Sequence, residues 1–384
     1  MTTNLKFMPG DIIQEFEKPF IKSLDLSCKK LYCNFCFKSH YNLRTCAKCK
    51  MVFYCDLDCQ KKDKKIAHSI ECKLFANPQT ASIAVAQLGG IGDDILKMIR
   101  LVSFLKLHKD EATKKYQLVD GSSRCFNDLK DHYDGIEADA LVKKIATLLA
   151  STLTDSGLFS PLECSYENIL HLYGVWKTNA FGVSNENDTQ IIGSALYILS
   201  SSFDHSCRPN AIRVVDDFCR MQIRCIEAIP VGQAPKITYL AGIRNRADRQ
   251  NVLKKRYFFD CECLLCETEK KEPVVNYVEL LHLRALFDRE GIYKNEQFVR
   301  AENILDQMQK IFCQFDERIT NLYDLTLEKL VSSLTMHMSL VKVSKVKQFA
   351  KQVEQNLRIT FGVGHKDYKY FSEKVLPRLN ALNN

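Results

Sequence analysis

The residues best suited to chemistry are cysteines in pairs. Reading from Cys33, the chain runs Cys33-x-x-Cys36, Cys46-x-x-Cys49, Cys55-x-x-x-Cys59 and His68-x-x-x-Cys72, which is seven cysteines and one histidine within forty residues. Zinc takes four such donors in a tetrahedron, with sulfur at about 2.3 Å. A C-x-x-C knuckle sets two sulfurs on one ion, and a four-residue spacing sets two ligands on one face of a helical turn. Eight donors close two tetrahedra and leave no open position, which marks structural rather than catalytic sites. The segment is short of aliphatic residues, so metal binding has to supply its stability, about 10–16 kcal/mol per structural zinc in small fingers. His40 lies between the pairs without a spacing partner and reads as a surface residue.

A second group, Cys261-x-Cys263-x-x-Cys266, offers three donors and needs a fourth from elsewhere. Cys207 is the best placed, in the polar run from Phe203 to Asn210 that follows an apolar stretch. Between Cys207 and Cys261 lie short apolar runs, Ala211 to Val215, Met221 to Ile226 and Ile237 to Leu240. Turn signals at Asp216-Asp217 and Pro230 to Gly232 separate them. They predict short strands of a β-rich domain, followed by a charged helix from Arg244 to Tyr257.

The frame around these groups is long enough for two or three domains, at 384 residues. No apolar run approaches the roughly 18 residues of a membrane helix, and the first residues lack a secretory signal. An intracellular protein with reduced thiols is expected, so clustered members of its 17 cysteines read as metal ligands rather than disulfides. The net charge of +8 is modest over this length and argues only weakly for an acidic partner. The basic run Lys61 to Lys65 reads as a solvated helix face.

Residues 80 to 160 alternate helical stretches with polar loops, Ile95, Ile99, Val102 and Leu105 keeping a helical period. Gly89 to Gly92 is a turn, lacking the lysine that a phosphate loop requires. From about residue 275 the pattern is helical, with apolar faces at Leu280, Leu283 and Leu286, at Ile304, Met308, Ile311 and Phe315, at Leu327, Leu330, Val331 and Leu334, and at Phe349, Val353 and Leu357.

Cys33 to Cys72, with Tyr54-Cys55 and Cys59-Gln60, resembles a MYND finger. The resemblance implies a crossed pairing, Cys33, Cys36, Cys55 and Cys59 on one ion and Cys46, Cys49, His68 and Cys72 on the other. Asp204-His-Ser-Cys-Arg-Pro-Asn210 resembles the N-H-S-C-x-P-N motif of SET domains. The stretch from Ile237 to Cys266 resembles the passage from the active-site tyrosine into the post-SET zinc site, and Phe7 to Ile13 resembles the strand-turn-strand opening. A MYND finger inserted into a SET domain is the arrangement of the SMYD family, and the resemblance covers roughly residues 5 to 268.

It implies an α+β fold: a β-rich SET domain over 1–32 and 74–240, with a helical insertion at about 80–175. The two-zinc finger takes 33–72 and a cysteine-rich post-SET site 241–268. An all-α, tetratricopeptide-like domain takes 275–384. The implied activity is S-adenosylmethionine-dependent methylation of protein lysines. Tyr239 would face the methyl-transfer channel, unless it is a buried strand tyrosine. Asp204 and His205 would hold the cofactor. Phe259 would pack on its adenine and Tyr257 would line the lysine channel, or both would pack around the third zinc. Asn179 would shape the cofactor pocket. His132 would be a further contact, or a solvent-facing helix histidine.

The implied cofactors are three zinc ions and S-adenosylmethionine. The implied partners are a lysine-bearing protein substrate and proline-rich peptides at the finger. Neither nucleic acid nor membrane is expected, a monomer is, and the location is nucleus, cytoplasm or both. Three departures mark the chain, and the first two favour the alternative of a catalytically degenerate interaction scaffold or transcriptional co-regulator. None of the eight residues before Pro9 is glycine, where the family has a G-x-G strand, so the chain reads as an N-terminally shortened member. Asp204 stands for the motif's asparagine, adding charge and losing an amide donor. Gly232 to Pro235 replaces an acidic turn, with the strand still able to start at Lys236.

Overall fold

The structure is a computed structural model that describes residues 5–85, 91–118, 120–185, 190–216, 218–240, 245–271, 282 and 343–381. The chain opens with a strand, Leu5–Phe7, and a tight turn. The Asp11 carboxylate accepts the Met8 N–H at 2.7 Å, and Gly10 takes φ +95°, which only glycine adopts without strain. The strand Ile12–Glu17 then pairs antiparallel with Met221–Cys225, which pairs with Ala211–Val215. Met221–Cys225 is central and buried along its whole length. A second antiparallel sheet has the order Ile21–Leu24, Ile191–Leu196, Ala180–Ser184. Ile192, Ala195 and Tyr197 share one core with Met221, Ile223 and Cys225, so the two sheets bury a common apolar face.

Three helices build a second core, which also takes in Ile21, Ala180 and Leu196 from the second sheet. Ile91–Leu107 buries Ile95, Ile99 and Val102, the period expected, with Leu105 only partly covered. Ala140–Asp155 starts where the Asp139 carboxylate accepts the N–H groups of Leu141 and Val142. Tyr166–Asn179 starts at Ser165, whose hydroxyl accepts the Asn168 N–H. The cysteine-rich segment packs into this helical core: Cys33, Cys46, Val52 and Tyr54 belong to one cluster with Ile95, Ile99 and Val102. The finger thus borrows the core it cannot build.

A parallel pair of two-residue strands joins Asp204–His205 to Lys236–Ile237. The strand does begin one residue past Pro235, because the Asn210 side chain accepts the Lys236 N–H at 2.7 Å. It ends at Ile237 rather than Leu240. The charged helix spans Arg246–Tyr257, shorter than expected, because Asn245 caps it by accepting the Asp248 N–H.

The apolar faces expected at 280–286, 304–315 and 327–334 lie outside the described residues, as does the side chain of Phe349. In the last helical segment, Val343–Thr360 buries Val353 and Leu357 and is followed by Lys366–Tyr370 and Leu376–Asn380. Arg224, from the central strand, reaches its C-terminus. The guanidinium donates to Ile359 O at 3.2 Å and Arg358 O at 3.3 Å, and to Gly10 O at 2.7 Å. It satisfies the Ile359 carbonyl, adds a second donor to Arg358 O beside the Gly362 N–H, and places a cation at the negative end of the dipole. Among the described residues, no helix is long and apolar enough to cross a membrane.

Candidate functional site

In the finger, each C-x-x-C knuckle closes by the same device. The N–H of Phe37 bonds back to Cys33 O and that of Lys50 to Cys46 O, each at 2.9 Å, and both residues take positive φ, 64° and 58°. That left-handed residue turns the chain so that both sulfurs face one point. The short hairpin of Arg44–Thr45 with Phe53–Tyr54 then brings the two knuckles together. His68 and Cys72 lie on consecutive helical turns. Cys55 and Cys59 do not: Cys55 precedes the helix Leu57–Asp63, whose cap Asp56 accepts the Cys59 N–H at 2.7 Å. The spacing that reads as a helical face is there a capped helix start.

The donors assemble as Cys33, Cys36, Cys55 and Cys59, and as Cys46, Cys49, His68 and Cys72, each set within 4.8 Å. Cys36 and Cys55 sulfurs are 3.5 Å apart, Cys46 and Cys72 3.7 Å, and Cys49 Sγ lies 3.8 Å from His68 Nε2. A tetrahedron with about 2.3 Å bonds has edges of about 3.8 Å, so these are zinc-ligand spacings. His40 is exposed, as expected.

Behind the second set lies a buried charge network that the sequence did not announce. Arg100 donates to Glu71 Oε2 at 2.9 Å, to Asp63 Oδ1 at 2.5 Å and to Lys22 O at 2.6 Å. Asp63 also accepts from Asn34 and Tyr54, each at 2.8 Å, and Glu71 Oε2 lies 3.5 Å from His68 Nδ1. Asp63 sits inside the basic run and is fully buried while its lysine neighbours are exposed.

The third donor set is Cys207, Cys261, Cys263 and Cys266. Cys207 lies 3.9 Å from Cys261 and 3.6 Å from Cys266, so the residue chosen as fourth donor falls in place. The helix Arg246–Tyr257 supports it. Gln250 exchanges two hydrogen bonds with the Cys261 backbone, at 2.7 and 2.8 Å, and Arg249 donates to Cys266 Sγ at 3.6 Å. The clusters in the finger and around residues 261–266 are zinc-binding sites by donor chemistry and spacing.

Between this third site and the sheets lies a cavity of about 450 Å³. His132, Asn179, Asp204, His205, Tyr239, Tyr257 and Phe259 all line it. They arrive from five separate stretches of chain. Phe258, at the end of the helix Arg246–Tyr257, takes φ +61° and swings Tyr257 and Phe259 to the cavity. The ring of Phe258 stacks on His132 at 5.3 Å. Space for that ring depends on Gly135, where a Cβ would stand 2.4 Å from it. His132 itself has φ +48° and precedes a five-residue helix, Tyr133–Glu137, so it is not a helix-face histidine.

The Asn179 amide donates to Lys130 O and Val175 O, each at 2.8 Å, fixing the loop that carries His132. Gly174 permits the same approach, since a Cβ there would stand 2.2 Å from Asp131 O. Asn179 therefore shapes the pocket wall with its donors already committed.

Burial depresses the His205 imidazole to about 4, so it is neutral. Its Nδ1 accepts the Tyr239 N–H at 3.0 Å, which leaves the proton on Nε2, 3.2 Å from Cys207 Sγ. The Tyr239 hydroxyl donates to Phe203 O at 2.7 Å, and burial raises it further above the ordinary phenol range. Its ring lies 4.8 Å from that of Tyr257. A second cavity, of about 640 Å³, reaches the same place from the other side, and Ala180, Phe181, Tyr239 and Tyr257 line both. Sequence reasoning missed Arg124 and Thr178. Both line the first cavity, and Arg124 Nε and Thr178 Oγ1 are buried there with no hydrogen-bond partner among the described residues. No motif marks them: Arg124 sits on a two-residue strand, and Thr178 precedes Asn179 in a helix end.

Zinc-stapled strands split by a cysteine-rich finger, with a cysteine-rich tail folded back on a tyrosine-lined channel, define a SET domain interrupted by a MYND finger. The family model for the MYND finger matches residues 33–72. The chain is 25% identical over 279 residues to N-lysine methyltransferase SMYD2 of Mus musculus, covering 73% of this chain and 59% of that one. It is 23% identical over 362 residues to histone-lysine N-methyltransferase SMYD1 of Homo sapiens, covering 87% and 69%. It is 26% identical over 281 residues to N-lysine methyltransferase SMYD2-B of Xenopus laevis, covering 73% and 60%. The chain spans about three fifths of the length of the SMYD2 relatives. Over most of its length it is similar to SMYD proteins, and its finger matches the MYND family model.

Proposed function

We propose that this protein is an S-adenosylmethionine-dependent protein-lysine N-methyltransferase. The carrying observation is that two cavities meet at Phe181, Tyr239 and Tyr257, one lined by every residue expected to touch the cofactor. S-adenosylmethionine, when bound, would supply an electrophilic sulfonium methyl. Phe259 and His205 would wall the adenosine end and Asp204 would accept from the ammonium. A substrate lysine would enter through the second cavity, past the carboxylates of Asp25 and Asp94.

At the junction the chain's work is alignment and desolvation. Tyr239, its proton held by Phe203 O and its pKa raised by burial, is no general base near neutrality; its oxygen keeps a lone pair for the incoming amine. Tyr257 and Phe181 exclude water. The Arg213 guanidinium, 5.3 Å from the Phe181 ring centroid, favours an uncharged amine there, against an ordinary lysine pKa of about 10.4.

Three zinc ions fit this reading: one on Cys33, Cys36, Cys55 and Cys59, one on Cys46, Cys49, His68 and Cys72, and one on Cys207, Cys261, Cys263 and Cys266. The domain limits that accompany it are 1–32 and 74–240 for the SET domain, 33–72 for the finger, 241–268 for the post-SET region and 275–384 for a helical domain. A lysine-bearing protein is the substrate, the finger is a peptide-binding surface, and nucleus or cytoplasm is the place of action.

Calorimetric titration of the zinc-loaded protein with S-adenosylmethionine tests the reading. Micromolar binding that Phe259→Ala abolishes supports an enzyme. Absence of binding with the zinc still in place supports the scaffold alternative, a SET and MYND protein that holds partners without chemistry.

A further inference from the structure

The charges around the first cavity do not match a simple cationic ligand. Arg124, Lys130 and Lys236 line it, and Asp204 is the one acid among the described lining residues. Lys130 and Lys236 are exposed, and their ammonium groups are hydrated. Arg124 differs. Its Nε is buried without a hydrogen-bond partner among the described residues, and the contact of its Nη2 with Asp128 O is long, at 3.4 Å. A buried guanidinium N–H with nothing to donate to is costly, and a planar fork is shaped for a carboxylate. The position is preset. Arg124 pairs with Tyr116 across the Tyr116–Gln117 and Ser123–Arg124 hairpin, and the next residue, Cys125, donates its N–H to Asp128 Oδ2 at 2.8 Å. Thr178 Oγ1 is a second buried, unpartnered group on the same cavity.

We propose that Arg124 binds the carboxylate of the cofactor's amino-acid end while Asp204 binds its ammonium, the two forming a bracket for an α-amino acid zwitterion. This rests on the methyltransferase reading. Asp204 stands where the motif of SET domains has asparagine, and its charge would repel that carboxylate if nothing offset it. Arg124 is within electrostatic reach of Asp204 and supplies the offset. Burial makes Arg124 easier to deprotonate than a free guanidinium, against the opposing charges of Asp128 and Asp204. The bracket also separates ligands by charge. One with the whole amino-acid end satisfies both residues, and one that has lost the carboxylate leaves the buried Arg124 Nε without an acceptor.

The test is calorimetric titration of the zinc-loaded full chain and its Arg124→Gln and Arg124→Lys variants. The probes are S-adenosylmethionine, its decarboxylated analogue, and 5′-deoxy-5′-methylthioadenosine, which lacks the amino-acid end. A charge-assisted bidentate contact predicts about 10- to 100-fold weaker binding of S-adenosylmethionine to Arg124→Gln. Arg124→Lys should fall between, and the two ligands without a carboxylate should bind all three proteins alike. Zinc content and thermal midpoint, unchanged in the variants, exclude misfolding. Equal weakening of all three ligands, or no weakening, overturns the bracket and leaves the methyltransferase reading standing. Failure of the unaltered protein to bind any of the three overturns both.

Discussion

Arg100→Met is the sharpest test of how the finger is built into the body. Arg100 belongs to the helix Ile91–Leu107 and is 3% exposed. Its guanidinium serves three acceptors: Asp63 and Glu71 in the finger, and the carbonyl of Lys22 in the sheet. Methionine keeps much of the volume and removes the charge, so the cost is electrostatic rather than a cavity. Asp63 retains Asn34 and Tyr54 as donors, whereas Glu71 retains the His68 ring at 3.5 Å and the charge of Lys29, also buried. Removing one partner of a buried pair costs about 3–5 kcal/mol, and the surviving donors to Asp63 place this case in the lower half of that range. Because Glu71 lies beside the zinc ligand His68, the same change should speed zinc loss from the second finger site. The assay is thermal unfolding together with the rate of zinc release to a chromogenic chelator. Lys62→Ala, which breaks the exposed Lys62–Asp58 pair, is the control and should change neither. A loss below about 1 kcal/mol for Arg100→Met, with unchanged zinc release, would refute the claim that this network fastens the finger.

Metal analysis should find about three zinc ions per chain, and Cys207→Ser should remove one without disturbing the finger pair. Strong chelation should release the finger from the helix Ile91–Leu107, seen as new protease cleavage between residues 33 and 72, because the segment has no core without its ions. Arg224→Ala should detach the last helical segment, exposing Arg358 and its neighbours to trypsin, at a stability cost of about 1–3 kcal/mol for the carbonyls left unsatisfied. Intact resistance to trypsin in that variant would show that apolar contacts of Val353 and Leu357 hold the helix unaided.

The donor pairs were legible in the sequence because metal coordination is a local rule. Two sulfurs reach one ion only over a few spacings, and those spacings survive in any fold that holds zinc. The short strands around Met221 and the helix period at Ile95, Ile99 and Val102 were legible for the same reason, since alternation and helical repeat are written along the chain. The α+β arrangement, by contrast, came from resemblance rather than from periodicity.

What only the tertiary structure decided are the meetings between distant residues. Asp63 reads as one member of a basic run, and its burial depends on Arg100 arriving from 37 positions away. Arg124 carries no motif, and it matters because a short hairpin places it on a cavity whose walls also come from Lys130, His132 and stretches between Thr178 and Phe259. His132 reads equally as a cofactor contact or a helix histidine, and only the fold gives it a left-handed backbone ahead of a short helix, with the Phe258 ring stacked on it. Asn179 keeps its place in the motif, yet its donors go to Lys130 and Val175, which only folding could assign. Spacing rules govern neighbours along the chain. Charge pairing, desolvation and ring stacking act between groups that the chain brings together only after its core has formed.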